Sequence, residues 1–593
     1  MALGKTEITQ DTYLVGIGVS PGIAIGEICL LNFQAGAAEW QISASEIEDE
    51  IKRFTLALEQ ARLQLRQIKE RVASKPHLRE HLYILDTHLL ILDDEMLVTE
   101  TIREIKKQIN AEGALKRILN KLRQMFDSIE DEYLRDRVSD VDAVGDRLHR
   151  VLAGEQDRTL GELGKKTIVA AHDLSPADTM QIDKENILGF VTDRGGRTSH
   201  TAILARSLEI PAVVGLETVT KVAKNKMPAI IDGLSGIVVL NPSESTFREY
   251  LKRKQVFEYQ ERGLLSYREL PAKTRDHFTV SLRCNLEATS EVQTALKYGS
   301  EGIGLFRTEF LYMNRTEPPE EDEQVATYAE MLKAMSPHSV TIRTLDLGGD
   351  KVVSDLSLEG EDNPAMGLRA IRFSLREGKL FKIQLRAILR ASVHGTVRIM
   401  FPMISGVAEI RACKRVLRDV KKELDDDGIA YAEDIPIGIM VETPSAVLIA
   451  PLLAKEVDFF SIGTNDLIQY CLAVDRGNEH VAYLYEPMHP AILRALKIAC
   501  DAAHEAQIDV SICGEMAAEP MYALVVLGLG LNELSMNPSC VPRVKQVMRQ
   551  LLRSDGVDLL QRLLELQTGK EVAACIEKEM SRLLPDIFGQ SPI

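Results

Sequence analysis

The chain has 593 residues, 45% of them hydrophobic, and a formal net charge of −17 at pH 7. That length exceeds what one hydrophobic core supports and predicts roughly three to five domains. The acidic balance, with no basic block to offset it, disfavours a nucleic-acid or anionic-membrane binder. The eight cysteines (Cys29, Cys284, Cys413, Cys471, Cys500, Cys513, Cys540 and Cys575) show no C-x-x-C pair and no disulfide-like spacing. They read as reduced thiols. No basic segment followed by an apolar core opens the chain, and no apolar run reaches membrane-spanning length, so the expectation is a cytoplasmic protein with no membrane insertion.

Residues 13 to 31 form a strand-rich opening. Its glycines suggest a dinucleotide fingerprint, but Pro21 falls where that fingerprint needs helix. Four helical patterns follow. Ser43-x-x-Glu46 makes a capping box, and Ile47, Ile51, Phe54, Leu58, Ala61, Leu65, Ile68 and Val72 then alternate steps of four and three. Similar seams run from Leu82 to Met96, from Leu115 to Ile129 and from Leu134 to Leu152. By themselves these seams describe a four-helix core, and their outer faces offer a docking surface for a protein partner.

Strand and helix alternate again from Thr167. Here Gly195-Gly196-Arg197-Thr198-Ser199-His200 joins an apolar strand, Ile187 to Val191, to a helix beginning near Thr201 and capped by Thr198 or Ser199. Free backbone N–H groups and the positive end of the helix dipole favour an anion at that turn. His200 is therefore a candidate nucleophile for a phosphoryl group, although a histidine in such a turn is more often a capping residue. The charged stretch from about 246 to 275 reads as a helix running into a linker at Leu270-Pro271-Ala272.

Eight β-rich runs then recur with helical patterns between them: Thr279 to Cys284, Gly302 to Phe306, Val340 to Leu345, Val397 to Phe401, Ile435 to Val441, Phe459 to Ile462, Val510 to Cys513 and Glu533 to Met536. This is the signature of a (β/α)8 barrel, which gathers its chemistry at the C-terminal ends of its strands. Those ends carry Arg307-Thr308-Glu309, Arg343-Thr344-Leu345-Asp346, Glu442-Thr443, Gly463-Thr464-Asn465-Asp466 and Cys513-Gly514-Glu515, with Arg369 and Arg476 nearby. Arg307, Arg343, Arg369 and Arg476 suit a small, highly anionic substrate. Glu442 and Asp466 supply hard oxygen ligands without histidine or thiolate, which favours Mg²⁺ or Mn²⁺ over zinc. Any one of these residues alone would read as part of a structural ion-pair network. Their number at predicted strand ends argues for an active site.

The Gly195 to Arg206 segment, Ile210-Pro211-Ala212-Val213-Val214-Gly215, Gly302 to Leu311 and Asp458 to Leu467 resemble the phosphohistidine and barrel motifs of the phosphoenolpyruvate-utilising enzymes. Gly18 to Ala24 and Tyr133 to Leu148 are similar to the Enzyme I branch of that family, from the bacterial phosphotransferase system, over nearly the whole chain. The resemblance implies an α/β multidomain chain: a swivelling phosphohistidine α/β domain (1–32 and 155–262) with an all-α insert (33–154), a linker (263–275), a TIM barrel that binds phosphoenolpyruvate (276–575) and a tail (576–593). It implies that His200 takes the phosphoryl group of phosphoenolpyruvate, with Arg307 and Arg343 on the phosphoryl oxygens. Glu442 and Asp466 would hold Mg²⁺, and Asn465, Asp466, Arg476 and Arg369 would complete the substrate contacts. Cys513 would protonate enolpyruvate, and Thr198 and Arg206 would steady the phosphorylated imidazole. The acceptor would be a histidine of the phosphocarrier HPr docked on the helical insert, and the enzyme a homodimer through its barrel.

Two features depart from the family pattern, the ten residues before the first strand and Leu286-Glu287 after the first barrel run, and neither is expected to touch a catalytic residue. A dikinase or phosphoenolpyruvate synthase would need an ATP-grasp domain where the helical block lies. A nitrogen-related paralogue would carry a sensory domain ahead of the dozen residues that precede the first strand. A non-catalytic regulatory paralogue would have no reason to keep His200, Arg307, Arg343, Glu442, Asp466 and Cys513 together.

Overall fold

A computed structural model of the chain describes residues 11–31, 39–73, 82–127, 138–154, 166–174, 186–196, 201–202, 205, 210–312, 317–348, 363–475, 478 and 481–589. It divides into two compact units, Met1–Glu261 and Arg262–Ile593. Among the described residues no helix is long and apolar enough to cross a membrane.

The first unit carries an eight-stranded sheet. Its strands are β1 (Thr12–Val15), β2 (Ile17–Ser20), β3 (Ile23–Leu31), β4 (Thr167–Ala171), β5 (Ile187–Thr192), β6 (Ala212–Val214), β7 (Pro228–Asp232) and β8 (Ile237–Leu240), in the order β1-β8-β7-β3-β4-β5-β6-β2. In the parallel centre, β3 to β6, strands β4 to β6 are buried on both faces, which is why β4 and β5 read as unbroken apolar runs. Between β3 and β4 lie helices α1 (Ile47–Ala73), α2 (Leu82–Asp93), α3 (Glu95–Ile105), α4 (Ala111–Asp127) and α5 (Val138–Leu152). They bury a core of their own around Phe54, Leu65, Leu92, Leu97, Leu115 and Leu148.

The second of the four predicted helices is in fact two. Asp94 breaks it: its backbone is extended, and its carboxylate accepts from the N–H groups of Met96 and Leu97, capping α3. The heptad spacing passes through this corner unchanged, so periodicity could not show it. At the start of α1, Glu46 accepts from both the N–H and the hydroxyl of Ser43 at 2.7 Å, the reach-back half of the expected capping box.

The second unit is a closed, all-parallel barrel. Its strands are β9 (Ser281–Leu286), β10 (Ile303–Arg307), β11 (Val340–Arg343), β12 (Val397–Phe401), β13 (Ile437–Val441), β14 (Phe459–Ile462), β15 (Asp509–Ile512) and β16 (Glu533–Met536). Each overlaps one of the eight predicted runs, and the first extends two residues further than expected, to Leu286.

Candidate active site at the barrel mouth

Strand register brings the site together. Arg307 and Arg343 are paired residues at the ends of β10 and β11, and Val441 pairs with Ile462, so Glu442 and Gly463 leave the barrel side by side. A Cβ on Gly463 would stand 2.9 Å from Glu442 Oε2. Glycine there leaves room for the carboxylate, and the chain then turns directly into helix α6 (Thr464–Leu472), with Asn465 and Asp466 in its first turn. Gly514 is needed for a similar reason, since a Cβ would collide with Thr464 Oγ1.

The carboxylates of Asp346, Glu442 and Asp466 have ligand oxygens all within 4.8 Å of one another. Glu442 and Asp466 are the two that the sequence points to as ligands. Asp346 joins them as a third, and the strand-end rule that selects Glu442 applies to it equally. Asp346 also organises the arginines: Arg343 Nη1 lies 2.8 Å and Arg369 Nη2 2.9 Å from its two oxygens. Burial alone would raise the Asp346 carboxyl, but Arg343 and Arg369 hold it below its ordinary value. Glu442 goes the other way. Burial pushes its carboxyl well up, and repulsion from Asp346 and Asp466 adds to the rise, against Arg343 and the Met403 N–H that it accepts at 2.5 Å. The Met403 backbone that aims this N–H sits in the left-handed region, at φ +52°. An all-oxygen cluster, buried at Asp346 and Glu442 and half-buried at Asp466, in which mutual repulsion helps push one carboxyl well up, fits a hard divalent ion.

Arg343 is almost enclosed. Its Nη2 donates to Glu309 Oε1 at 3.0 Å, and the same oxygen accepts from the Asp346 N–H at 2.9 Å. Burial opposes its charge, yet Glu309, Asp346 and Glu442 together hold its proton more firmly than usual. Arg369 behaves similarly toward Asp346 and Asp466, and its Nη1 lies 3.4 Å from the Tyr470 hydroxyl, which in turn donates to Ala365 O at 2.5 Å. Arg307 is different: it lies half-exposed at the rim and pairs with Glu287. The expectation that Leu286-Glu287 touches no proposed catalytic residue is therefore wrong for Glu287. The pairing follows from β9 running on to Leu286, which sets Glu287 beside the end of β10.

Cys513 follows β15 and is buried with Leu305, Met400, Met440 and Phe459. Burial pushes its thiol up to about 11, while the Ser461 hydroxyl and the Arg343 guanidinium pull it down. Its carbonyl accepts from Asn285 Nδ2 at 2.9 Å, and Asn285 is itself held by Ser535 at 2.6 Å. Asn465 Oδ1 accepts from the Glu515 N–H at 3.1 Å, tying α6 to the turn after Cys513. Arg476 lies outside the described residues, as do Thr198, His200 and Arg206. In the first unit the approach to the histidine turn is described: β5 ends at Thr192, Gly195 takes φ +111°, and Thr201, Ala202 and Ala205 are helical and buried. There Asp193 accepts from the Thr220 N–H at 3.2 Å and lies 3.2 Å from His172 Nδ1.

Residues 261–553 match the model of the PEP-binding domain of PEP-utilising enzymes, residues 15–137 that of their N-terminal region, and residues 163–236 that of their mobile domain. Among curated relatives, the phosphoenolpyruvate-protein phosphotransferase of Bacillus sp. (strain S) is 41% identical over 579 residues, 96% of this chain and 99% of its own length. That of Listeria innocua is 42% identical over 569 residues, covering 95% and 99%. That of Haemophilus influenzae is 41% identical over 565 residues, covering 95% and 98%. Neither a dikinase nor a synthase is favoured by this set. Likeness of that degree, over a closed barrel whose mouth gathers arginines, carboxylates and a thiol, makes the chain a member of the phosphoenolpyruvate-protein phosphotransferase family, the Enzyme I branch of the PEP-utilising enzymes.

Proposed function

We propose that this protein is a phosphoenolpyruvate-protein phosphotransferase whose barrel mouth binds phosphoenolpyruvate and whose His200 carries the phosphoryl group away. The observation that carries the reading is the mouth itself, where Arg343 and Arg369 converge on a cluster of three carboxylates beside a protonated thiol. Arg307 and Arg343 hold the phosphoryl oxygens, and Arg369, Asn465, Asp466 and Arg476 complete the substrate contacts. Glu442 and Asp466, with Asp346 beside them, are the residues that would hold Mg²⁺. When bound, that ion neutralises phosphate and carboxylate charge.

A nitrogen of His200 attacks phosphorus, the bond from phosphorus to the enol oxygen breaks, and the electron pair stays on enolpyruvate. Such a transfer depends on positioning and charge neutralisation, which the arginines supply. Cys513 then protonates the methylene carbon to give pyruvate. Its thiol, held protonated far above neutral pH, is in the right form for that step. Thr198 steadies the imidazole in transit. The phosphoryl group passes to a histidine of HPr docked on the helical insert. We read the protein as cytoplasmic, in keeping with its free cysteines, and as a homodimer through the barrel.

Incubation with Mg²⁺ and radiolabelled phosphoenolpyruvate, with and without HPr, tests this reading. Acid-labile, base-stable label is expected on the wild type and absent from His200→Ala, and HPr should drain it. A wild-type protein that takes no label overturns the reading.

A further inference from the structure

The arginines at the mouth are held in two ways. Arg343 is about 10% exposed, and its partners Glu309 and Asp346 are 8% and 3% exposed, so it cannot leave them without stranding buried charge. Arg307 and its partner Glu287 are 37% and 39% exposed. An exposed pair of this kind contributes little to stability, so an incoming phosphoryl group, with more charge and more acceptor oxygens, displaces the carboxylate readily. The Glu287 backbone is fixed. It follows directly on β9, and its backbone N–H and that of Ala288 both donate to the carboxylate of Glu291, at 2.8 and 3.2 Å. The displaced carboxylate therefore remains within one side chain's reach of the bound anion.

We propose that Glu287 is a specificity-determining counter-anion that holds the Arg307 guanidinium when the site is empty, competes with the phosphoryl group for it, and weakens the affinity for phosphoenolpyruvate. The proposal rests on Arg307 being a phosphoryl ligand. Glu287→Gln keeps an acceptor for Arg307 and removes the competing charge. With the screening of bulk water, one unit charge about 5 Å away changes the affinity for an anion by about fourfold per anionic charge, which sets the scale at about three- to tenfold.

The test is steady-state pyruvate formation by the Mg²⁺-loaded, full-length protein with HPr as acceptor, together with inhibition by phosphoglycolate, an unreactive phosphorylated carboxylate. In Glu287→Gln both the KM for phosphoenolpyruvate and the inhibition constant fall about three- to tenfold, with kcat changed by less than twofold, the pattern of uniformly tighter binding. Glu287→Asp, which keeps the charge, stays within about twofold of wild type. The gap between wild type and Glu287→Gln narrows as salt rises toward about 0.5 M, because exposed charges are screened. An unchanged or raised KM in Glu287→Gln, or a Glu287→Asp that behaves like it, overturns the proposal. Arg307→Ala separates the two layers. If it raises KM while Glu287→Gln does not lower it, the counter-anion role fails alone. If Arg307→Ala leaves KM unchanged, the reading of Arg307 as a phosphoryl ligand fails, and this inference falls with it.

Discussion

Both ends of the barrel set arginines against carboxylates, yet the two ends arrange those charges differently. At the N-terminal ends of the strands, Arg283 of β9 and Arg398 of β12 share one acid, Glu533 of β16, at 3.0 and 2.8 Å, and the Arg398 guanidinium stacks 3.8 Å from the centre of the Phe459 ring. At the C-terminal ends, Arg343 and Arg369 face Glu309, Asp346, Glu442 and Asp466. At the floor one acid bridges two cations, and Asp509 and Glu301 add attraction for Arg283. At the mouth, among the described residues, Asp346, Glu442 and Asp466 bring ligand oxygens within 4.8 Å of one another, and one of these carboxyls is pushed well above its ordinary range. A structural ion-pair network and a functional one look alike as residue types; the crowding of like charge separates them.

Breaking each end should therefore damage a different property. Glu533→Gln takes from two enclosed guanidinium groups the one carboxylate they share and is expected to destabilise the barrel by about 3–5 kcal/mol, measured by chemical denaturation. Glu442→Gln removes one of three mutually repelling carboxyls while Arg343 keeps Glu309 and Asp346. It is expected to lower pyruvate formation by about a hundredfold or more, the scale for losing one group that stabilises developing charge, and to leave the metal-free melting temperature no lower than wild type. If Glu442→Gln unfolds the protein or Glu533→Gln acts only on turnover, the distinction between the two ends collapses.

The thiol at the mouth gives a smaller effect with a definite sign. Free cysteine titrates near about 8.5, and Cys513 is pushed up to about 11, chiefly by burial. A group raised on folding contributes stability that is complete below its unfolded pKa and is lost as pH rises through its folded one. For Cys513 that loss runs from about 8.5 to about 11. Alkylation of Cys513 by iodoacetamide, followed by peptide mass spectrometry in the substrate-free protein, should accelerate with a midpoint near pH 11. A midpoint near 8.5 would mean that the pocket of Leu305, Met400, Met440 and Phe459 does not exclude water from the sulfur.

Much of this site could be read from the chain because parallel strands covered on both faces announce themselves as apolar runs, and the residue after each run is at the mouth by construction. Arg343, Glu442, Asp466 and Cys513 were found that way. What the runs cannot convey is which strand end faces which. Asp346 acquires its second arginine, Arg369, only where the chain after β11 returns to pair Arg369 with Gly348, and Glu309 becomes a partner of Arg343 because Arg307 and Arg343 are in register. Glu287 was visible as an unusual residue, but its contact with Arg307 depends on the two residues by which β9 outruns its predicted end. Asp94 escaped for the opposite reason, since a capped corner between α2 and α3 preserves the spacing of the buried leucines.

The weakest expected effect lies at the outer edge of the mouth. Arg369 is held by the charges of Asp346 and Asp466, and its Nη1 also meets the neutral Tyr470 hydroxyl, which bridges it to Ala365 O. Tyr470→Phe keeps the ring and removes that bridge, and at 3.4 Å the bond from the guanidinium is long enough to be worth only about 0.5–1.5 kcal/mol. The variant should lose about two- to tenfold in kcat/KM for pyruvate formation, by loosening Arg369 rather than by removing a substrate contact, so the loss should fall on KM. A loss far beyond tenfold carried by kcat would show the hydroxyl acting on the reacting atoms. The edge of the mouth would then belong to the chemistry as fully as its acidic centre.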